Sequence, residues 1–292
     1  MSSQPVRKVL ILGPGLLGGS LALALERSPA HEVSLWGRSE AAVQEARERG
    51  ISNASTDLGQ LVADVDVVVL CTPVGAMVPV LGKVLELRGE RRLLISDVGS
   101  VKRMPATLIR PLISGTGHRF IGGHPMAGSE QTGVSAARAD LFEGATSVLT
   151  PHPSESAQDI STLQELWEAT GAECHFMTVE EHDAAVGRLS HFPHLMASLC
   201  ASVALADNEN CFVSGNGLRD TTRVAAGDPD MWAEILLENA GPVEALLEET
   251  IHQMRDVLAS LKRRDHDHVR QFLANAKAVR DRLDAGTSCK EL

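Results

Sequence analysis

Four groups of side chains in this 292-residue sequence have the types and spacing to do chemistry. Gly13-Pro14-Gly15-Leu16-Leu17-Gly18 has the G-x-G-x-x-G spacing that lets a backbone cradle a pyrophosphate. Gly122-Gly123-His124-Pro125 holds a histidine, the side chain best suited to general acid–base work near neutral pH. His191 and His194 lie either side of Pro193, at a spacing that puts both on one helical face. Arg219 and Arg223 flank Asp220-Thr221-Thr222 and could anchor an anion, Arg223 being the better candidate and Arg219 the readier partner for Asp220. Together they point to a dinucleotide brought against a small anionic substrate, with a histidine placed to take a proton.

These groups need elements to position them. The glycine loop lies between an aliphatic run, Val9-Leu10-Ile11-Leu12, and an Ala/Leu-rich helical stretch. In that setting Gly13 permits the tight turn, Gly15 lets the pyrophosphate reach the backbone, and Gly18 lets the helix pack close to the strand. The free N–H groups at the helix start, around Leu16 and Leu17, then face the phosphates. A second strand over residues 32–36 ends at Gly37-Arg38-Ser39. An acid at that point would hold the 2′-hydroxyl of NAD. This chain has Arg38 instead, whose guanidinium can fork onto a 2′-phosphate, with Ser39 adding a hydrogen bond or capping the next helix. The pair favours NADP over NAD.

A β-branched run over 65–70 reads as a central parallel strand, which brings Thr72 and Pro73 to the nicotinamide ribose. A strand over 93–96 brings Ser100 to the same edge, where it could also cap a helix over 101–109. A short strand at 120–121 leaves His124 at its end, with glycines giving a substrate room and Pro125 limiting backbone freedom. Strands over 146–149 and 173–177 follow, around a helix at 156–169. Alternation of strand and helix then stops near residue 178. Helical pattern covers 180–207, broken at Ser190-His191-Phe192-Pro193-His194, and then 230–263 and 265–285. The expected fold is α/β: a dinucleotide-binding domain over 1–178 and an all-α domain over 179–292.

Composition narrows the class. Lys plus Arg is 27 and Asp plus Glu is 38, so the net charge is −11, which argues against nucleic acid or an anionic membrane as a partner. After a short polar leader there is no signal-peptide pattern and no apolar run of membrane-spanning length. Cys71, Cys174, Cys200, Cys211 and Cys289 are scattered, without disulfide or metal spacing, as in a reduced cytoplasmic protein. No metal site is expected: the His191/His194 pair has no H-e-x-x-H setting, and Asp265-His266-Asp267-His268 reads as a solvated helix start. The sequence has no tyrosine, which excludes dehydrogenases that use a phenolic base.

The segments GPGLLGGS (13–20), CTPV (71–74), DVGSVK (97–102), GGHPMAGSE (122–130), EEHD (180–183), SHFPH (190–194) and RDTTRVAAGDPDMW (219–232) resemble, in order, those of the prephenate dehydrogenase family of tyrosine biosynthesis. The resemblance implies a Rossmann domain followed by a helical domain that carries substrate residues and forms a homodimer. It implies His124 as the catalytic histidine and Ser100 as its hydrogen-bonding neighbour. It puts His191 and His194 in the substrate pocket, Arg223 on a substrate carboxylate, and Asp220 and Trp232 at the pocket mouth, contributed by the partner subunit. Many members carry Asp after the second strand, where this chain has Gly37-Arg38-Ser39. The sequence leaves no length for the regulatory ACT domain of some members, so feedback by tyrosine through such a domain is not expected.

Three rival readings remain at this point. Arogenate dehydrogenase performs the same reaction on the amino acid rather than the keto acid and shares these motifs. A β-hydroxyacid dehydrogenase needs an interdomain lysine, and none occurs between Lys102 and Lys262. A non-catalytic NADP-sensing protein needs the glycine loop, but not GGHP, SHFPH and Arg223 together.

Overall fold

Val9, Leu10, Ile11 and Leu12 are all buried, and alternate ones enter separate apolar clusters on the two sides of the strand. A strand buried on both faces needs helices on both. The computed structural model, which describes residues 6–128, 131–206 and 211–284, meets that need with a parallel sheet. Its strands are β1 (Arg7–Leu12), β2 (His31–Trp36), β3 (Ala54–Ser55), β4 (Val67–Leu70), β5 (Leu94–Asp97) and β6 (Arg119–Phe120). The helices between them are α1 (Leu16–Glu26), α2 (Glu40–Glu48), α3 (Leu58–Val62), α4 (Val74–Arg88) and α5 (Arg103–Ile113). The strand order is β3-β2-β1-β4-β5-β6, so the direction of winding reverses between β1 and β4. A crevice opens there at the carboxyl ends of the strands, beside Gly13 and Cys71.

The chain then changes sheets. Ile121 still bonds to β5, through its N–H to the Ile95 carbonyl at 3.0 Å. The next four residues form β7 (Gly122–Pro125), antiparallel to β8 (Thr146–Thr150), which runs parallel to β9 (Glu173–Phe176) across α6 (Ala157–Glu168). This corrects the sequence expectation of a strand end followed by an open glycine turn. A Cβ on Gly122 would lie 2.6 Å from Thr150 Oγ1, and one on Gly123 would lie 2.8 Å from the Asp97 carbonyl oxygen. Gly123 lets β7 approach β5 of the first sheet, and Gly122 lets it approach Thr150 of β8 and the Lys102 side chain.

The junction between the sheets is ionic. Asp97 and Lys102 form an ion pair with both side chains fully buried. Lys102 Nζ also donates to the Gly123 carbonyl at 2.6 Å. Asp97 accepts from the N–H of Gly99 at 2.8 Å and of Gly123 at 3.2 Å.

From Val179 to Asn239 the regular elements of the described residues are all helical: α7 (Val179–Val186), a π-turn (Gly187–His191), α8 (Phe192–Ala204), a 3₁₀ turn (Cys211–Val213), α9 (Asn216–Thr222), a second 3₁₀ turn (Arg223–Ala226) and α10 (Pro229–Glu238). Met1–Asn239 forms one compact unit and Ala240–Leu292 a second. In the second, α11 (Ala240–Arg263) and α12 (His266–Asp284) pack on each other around Arg264, whose φ is 56°. The continuous helix expected over 230–263 is therefore two helices, parted at Asn239. Pro242 was the available signal, since proline is tolerated in a helix's first turn and disfavoured inside it. Asp265 Oδ1 accepts from the His268 N–H at 3.1 Å and so caps α12. No helix among the described residues is long and apolar enough to cross a membrane. Cys289, residues 1–5 of the leader expected over 1–7, and positions 129–130 of the GGHPMAGSE segment lie outside the described residues, and Arg7 already belongs to β1.

Lys102→Met would leave the Asp97 carboxylate buried without its counter-charge, which costs about 3–5 kcal/mol. Urea unfolding of the variant should read a loss in that range; a loss under about 1 kcal/mol would contradict a structural role for the pair.

Candidate active site

The glycine loop has the sterics of a phosphate cradle. Gly13 has a φ of +123°, and a Cβ there would lie 2.6 Å from the Cys71 carbonyl oxygen. A Cβ on Gly18 would lie 2.0 Å from the Gly13 carbonyl oxygen, so α1 packs hard against the turn. A Cβ on Gly15 would meet nothing within 4 Å. Gly15 is the N-cap of α1, so its open face adjoins the unpaired N–H groups around Leu16 and Leu17. These residues fit a dinucleotide pyrophosphate.

At the end of β2, Gly37 is buried against Pro14 and Val43, where a Cβ would lie 2.7 Å from Pro14 Cγ. Arg38 and Ser39 are exposed, and among the described residues Arg38 makes no ion pair. Ser39 is the N-cap of α2, but its side chain makes no capping hydrogen bond. The nearby carboxylate of Glu40 is engaged by Thr56 Oγ1 at 3.2 Å. Thr72 follows β4 with its hydroxyl buried and without a hydrogen-bond partner, and Pro73 is the N-cap of α4.

His124, on β7, is buried, and its Nδ1 lies 2.9 Å from Nε2 of His182 on α7. His182 Nδ1 lies 2.7 Å from Asp183 Oδ1. The Asp183 carboxylate also accepts from the N–H groups of Lys102 at 2.8 Å and Arg103 at 2.9 Å, which caps α5. Ser100 is half-buried and does not cap α5; the cap position is Lys102, and the carboxylate arrives from α7. Ser100 makes no hydrogen bond to His124, whose Nδ1 is taken by His182.

This chain of bonds fixes proton positions. Burial pushes the Asp183 carboxyl up, but hydrogen bonds from His182 and from the Arg103 and Lys102 N–H groups outweigh it and hold it below the usual carboxylate range. An ionised carboxylate only accepts, so His182 Nδ1 carries the proton. With His182 as a neutral ring its Nε2 accepts, so His124 Nδ1 donates. The lone pair of His124 is left on Nε2. Burial first, and then the Lys102 ammonium, hold His124 well below the ordinary histidine value, and protonation of His182 or His191 would lower it further. It is a neutral imidazole whose Nε2 carries the lone pair.

The second histidine cluster adjoins the first. His191 ends the π-turn and His194 sits in the first turn of α8; both are buried. His194 stacks on Trp232 of α10 with ring centroids 3.5 Å apart, and His191 meets the same indole edge-on at 6.3 Å. A Cβ on Gly227 would lie 2.5 Å from Trp232 Nε1 and 3.2 Å from His194 Cε1, so only glycine leaves this stack intact. His194 Nδ1 is buried without a hydrogen-bond partner. α9 and the 3₁₀ turn over Arg223–Ala226 both pack on α8. The side chains of Arg219, Asp220 and Arg223 are exposed and form no ion pair among the described residues, so the Arg219–Asp220 salt bridge is not formed.

Sequence reasoning did not assign His182, Asp183, Asp97, Lys102 or Asn239. The one signal was His182-Asp183 within the EEHD segment, an imidazole beside its own carboxylate.

Comparison with known proteins identifies the family. The family model described as prephenate dehydrogenase, nucleotide-binding domain, matches residues 21–176, and the prephenate dehydrogenase dimerization domain matches residues 178–275. A prephenate dehydrogenase of Lactococcus lactis subsp. cremoris (strain MG1363) is 33% identical over 285 residues, spanning 96% of this chain and 78% of that protein. The crystal structure of prephenate dehydrogenase from A. aeolicus in complex with hydroxyphenyl propionate and NAD+ has a TM-score of 0.86 at 27% identity, covering 97% of this chain and 100% of that one. Synechocystis arogenate dehydrogenase has a TM-score of 0.80 at 27% identity, covering 94% of this chain and 99% of that one. The chain belongs to the prephenate dehydrogenase family of oxidoreductases.

Proposed function

We propose that this chain converts prephenate to 4-hydroxyphenylpyruvate and CO₂, with NADP+ preferred to NAD+ as the hydride acceptor. The observation that carries this reading is the Asp183–His182–His124 chain, which leaves the lone pair of a buried neutral imidazole free for a substrate proton. Prephenate is a cyclohexadiene with a hydroxyl on one ring carbon and a carboxylate on the opposite one. A bound nicotinamide dinucleotide supplies the acceptor for the hydride on the hydroxyl-bearing carbon. His124 Nε2 takes the hydroxyl proton as that hydride leaves, so the carbon becomes a carbonyl. The ring carboxylate then departs as CO₂, and its bonding pair aromatises the ring onto the carbonyl oxygen, which regains a proton.

The other assignments follow the same reading. Gly13, Gly15, Leu16, Leu17 and Gly18 hold the pyrophosphate, Thr72 and Pro73 the nicotinamide ribose, and Gly37, Arg38 and Ser39 the 2′-phosphate. Ser100 borders the reacting hydroxyl beside His124. His191 and His194 face the substrate, Arg223 pairs with a carboxylate, and Asp220 and Trp232 form the pocket mouth. We assign residues 1–178 to the dinucleotide domain and 179–292 to the helical substrate and dimerisation domain. The free thiols of Cys71, Cys174 and Cys200 suit a cytoplasmic setting.

The helical segment also carries an unpartnered apolar stripe. Ile251, Met254, Leu258 and Leu261 are exposed along one face of α11, at spacings of three and four residues. We assign this face to a homodimer. Sedimentation should give the mass of two chains, and Leu258→Glu should shift it toward one; a monomeric wild type would contradict the assignment.

A rate panel tests the chemistry: prephenate or arogenate against NADP+ or NAD+, followed by reduced cofactor. The highest kcat/KM is expected with prephenate and NADP+. A charge-assisted hydrogen bond is worth about 1.5–3 kcal/mol, so Arg38→Ala should lower kcat/KM for NADP+ by about 10- to 100-fold and leave NAD+ nearly unchanged. His124→Asn should lower kcat by about 10²–10⁴ with cofactor affinity retained. Preference for arogenate would keep the sites and change the substrate. No turnover with any pair, with cofactor still bound, would favour a sensing protein.

A further inference from the structure

Asn239 closes α10 at the point where the sequence pattern alone runs a helix straight through, and it is buried. Its Nδ2 donates to the Asp183 backbone carbonyl at 2.8 Å and lies 3.0 Å from His191 Nδ1. A carbonyl only accepts, so the amide atom facing Asp183 is the nitrogen. That nitrogen's second hydrogen faces His191. His191 Nδ1 therefore accepts, and the ring proton sits on Nε2.

We propose that Asn239 is a positioning residue that locks His191 in its Nε2–H tautomer, so that a neutral imidazole offers a hydrogen-bond donor to a carboxylate of the substrate. The donor role rests on the reading above, in which His191 faces the substrate. The opposite tautomer would turn a lone pair toward the anion and repel it. The same amide grips the carbonyl of Asp183, whose carboxylate begins the chain to His124. One side chain thus sets the register of the proton-accepting histidine against the anion-facing one.

The charged and titratable groups around His191 are Asp183 and His182 on α7, His194 on α8 and His124 on β7. Burial, opposed by Asp183 and reinforced by His182 and His194, holds His191 at about 4. The ring is therefore neutral near physiological pH, and attraction to an anion has to come from its N–H.

Nitrogen-15 NMR of histidine-labelled protein reads the tautomer without turnover, with His191→Gln assigning the signal by its loss. A neutral Nε2–H ring is expected over roughly pH 6 to 8; an Nδ1–H ring or a charged ring would overturn the proposal. Asn239→Asp reverses the bond, because a carboxylate accepts from Nδ1–H and turns the Nε2 lone pair outward. KM for prephenate should then rise about tenfold or more at about pH 9, and recover toward wild type at about pH 6, because the new carboxylate beside Nδ1 raises the ring's pKa so that it charges and regains its Nε2–H. The change in kcat should be smaller than that in KM. An unchanged KM, or a rise equal at both pH values, would overturn it. Should Asn239→Asp fail to fold, the wild-type tautomer and its loss in Asn239→Ala decide the matter. An Nε2–H ring with no turnover on prephenate or arogenate would overturn the functional reading and leave the tautomer lock standing.

Discussion

Two charges with no water around them have to be satisfied by the protein, and the Asp97–Lys102 pair does this with the backbone of the active strand. Lys102 Nζ has Asp97 and the Gly123 carbonyl; Asp97 has Lys102 and the N–H groups of Gly99 and Gly123. The Lys102 N–H goes to Asp183, so one residue ties β5, β7 and α7 together. Burial lowers the Lys102 ammonium and the Asp97 carboxylate opposes that shift. His124 follows Gly123 directly, and His182 precedes Asp183. The ion pair therefore sets the 2.9 Å contact between the two imidazoles on which proton acceptance depends.

Electrostatics then determine what His124 can do. It lies among groups that carry or can acquire positive charge, in a setting that penalises one more. The ring stays neutral and its Nε2 is left as the accepting atom. The Asp183 carboxylate, two histidines away, orients the chain without sitting beside the reacting proton. The site also has sparsely bonded polar atoms, in His194 Nδ1 and the Thr72 hydroxyl, on the sides where substrate and cofactor are assigned. Buried polar groups left unpaired are costly, and a ligand that pairs them recovers that cost on binding.

What the sequence revealed is what local sterics control. The glycine loop was legible because Gly13 and Gly18 are required by backbone contacts within a few residues or with the next strand. The parallel strands were legible because burial on both faces demands an unbroken aliphatic run. His124 was legible as a candidate from its Gly-Gly-His-Pro setting, but the contacts those glycines make with Asp97, Lys102 and Thr150 were not. The partner of His124 was hidden because it lies 58 residues away and is joined by the packing of α7 on α5 and β8. The end of α10 had one local signal, Pro242 in the first turn of α11, while the apolar period of residues 230–263 runs on through Asn239 and gives no sign of that residue's buried hydrogen bonds. Ser100 looked like the cap of α5 because capping by a side chain from another helix leaves no local trace.

The central claim is that His124 is a neutral base whose accepting atom is fixed by His182 and Asp183. The pH dependence of kcat/KM tests it most directly, because that ratio reports the free enzyme. His124 is held well below the ordinary histidine value, so it remains unprotonated as pH falls through the usual histidine range. The account predicts full kcat/KM down through about pH 6.5, with the acid limb below that value and absent from the residual activity of His124→Asn. An acid limb at or above about pH 6.5, or one that persists unchanged in His124→Asn, would place the base elsewhere.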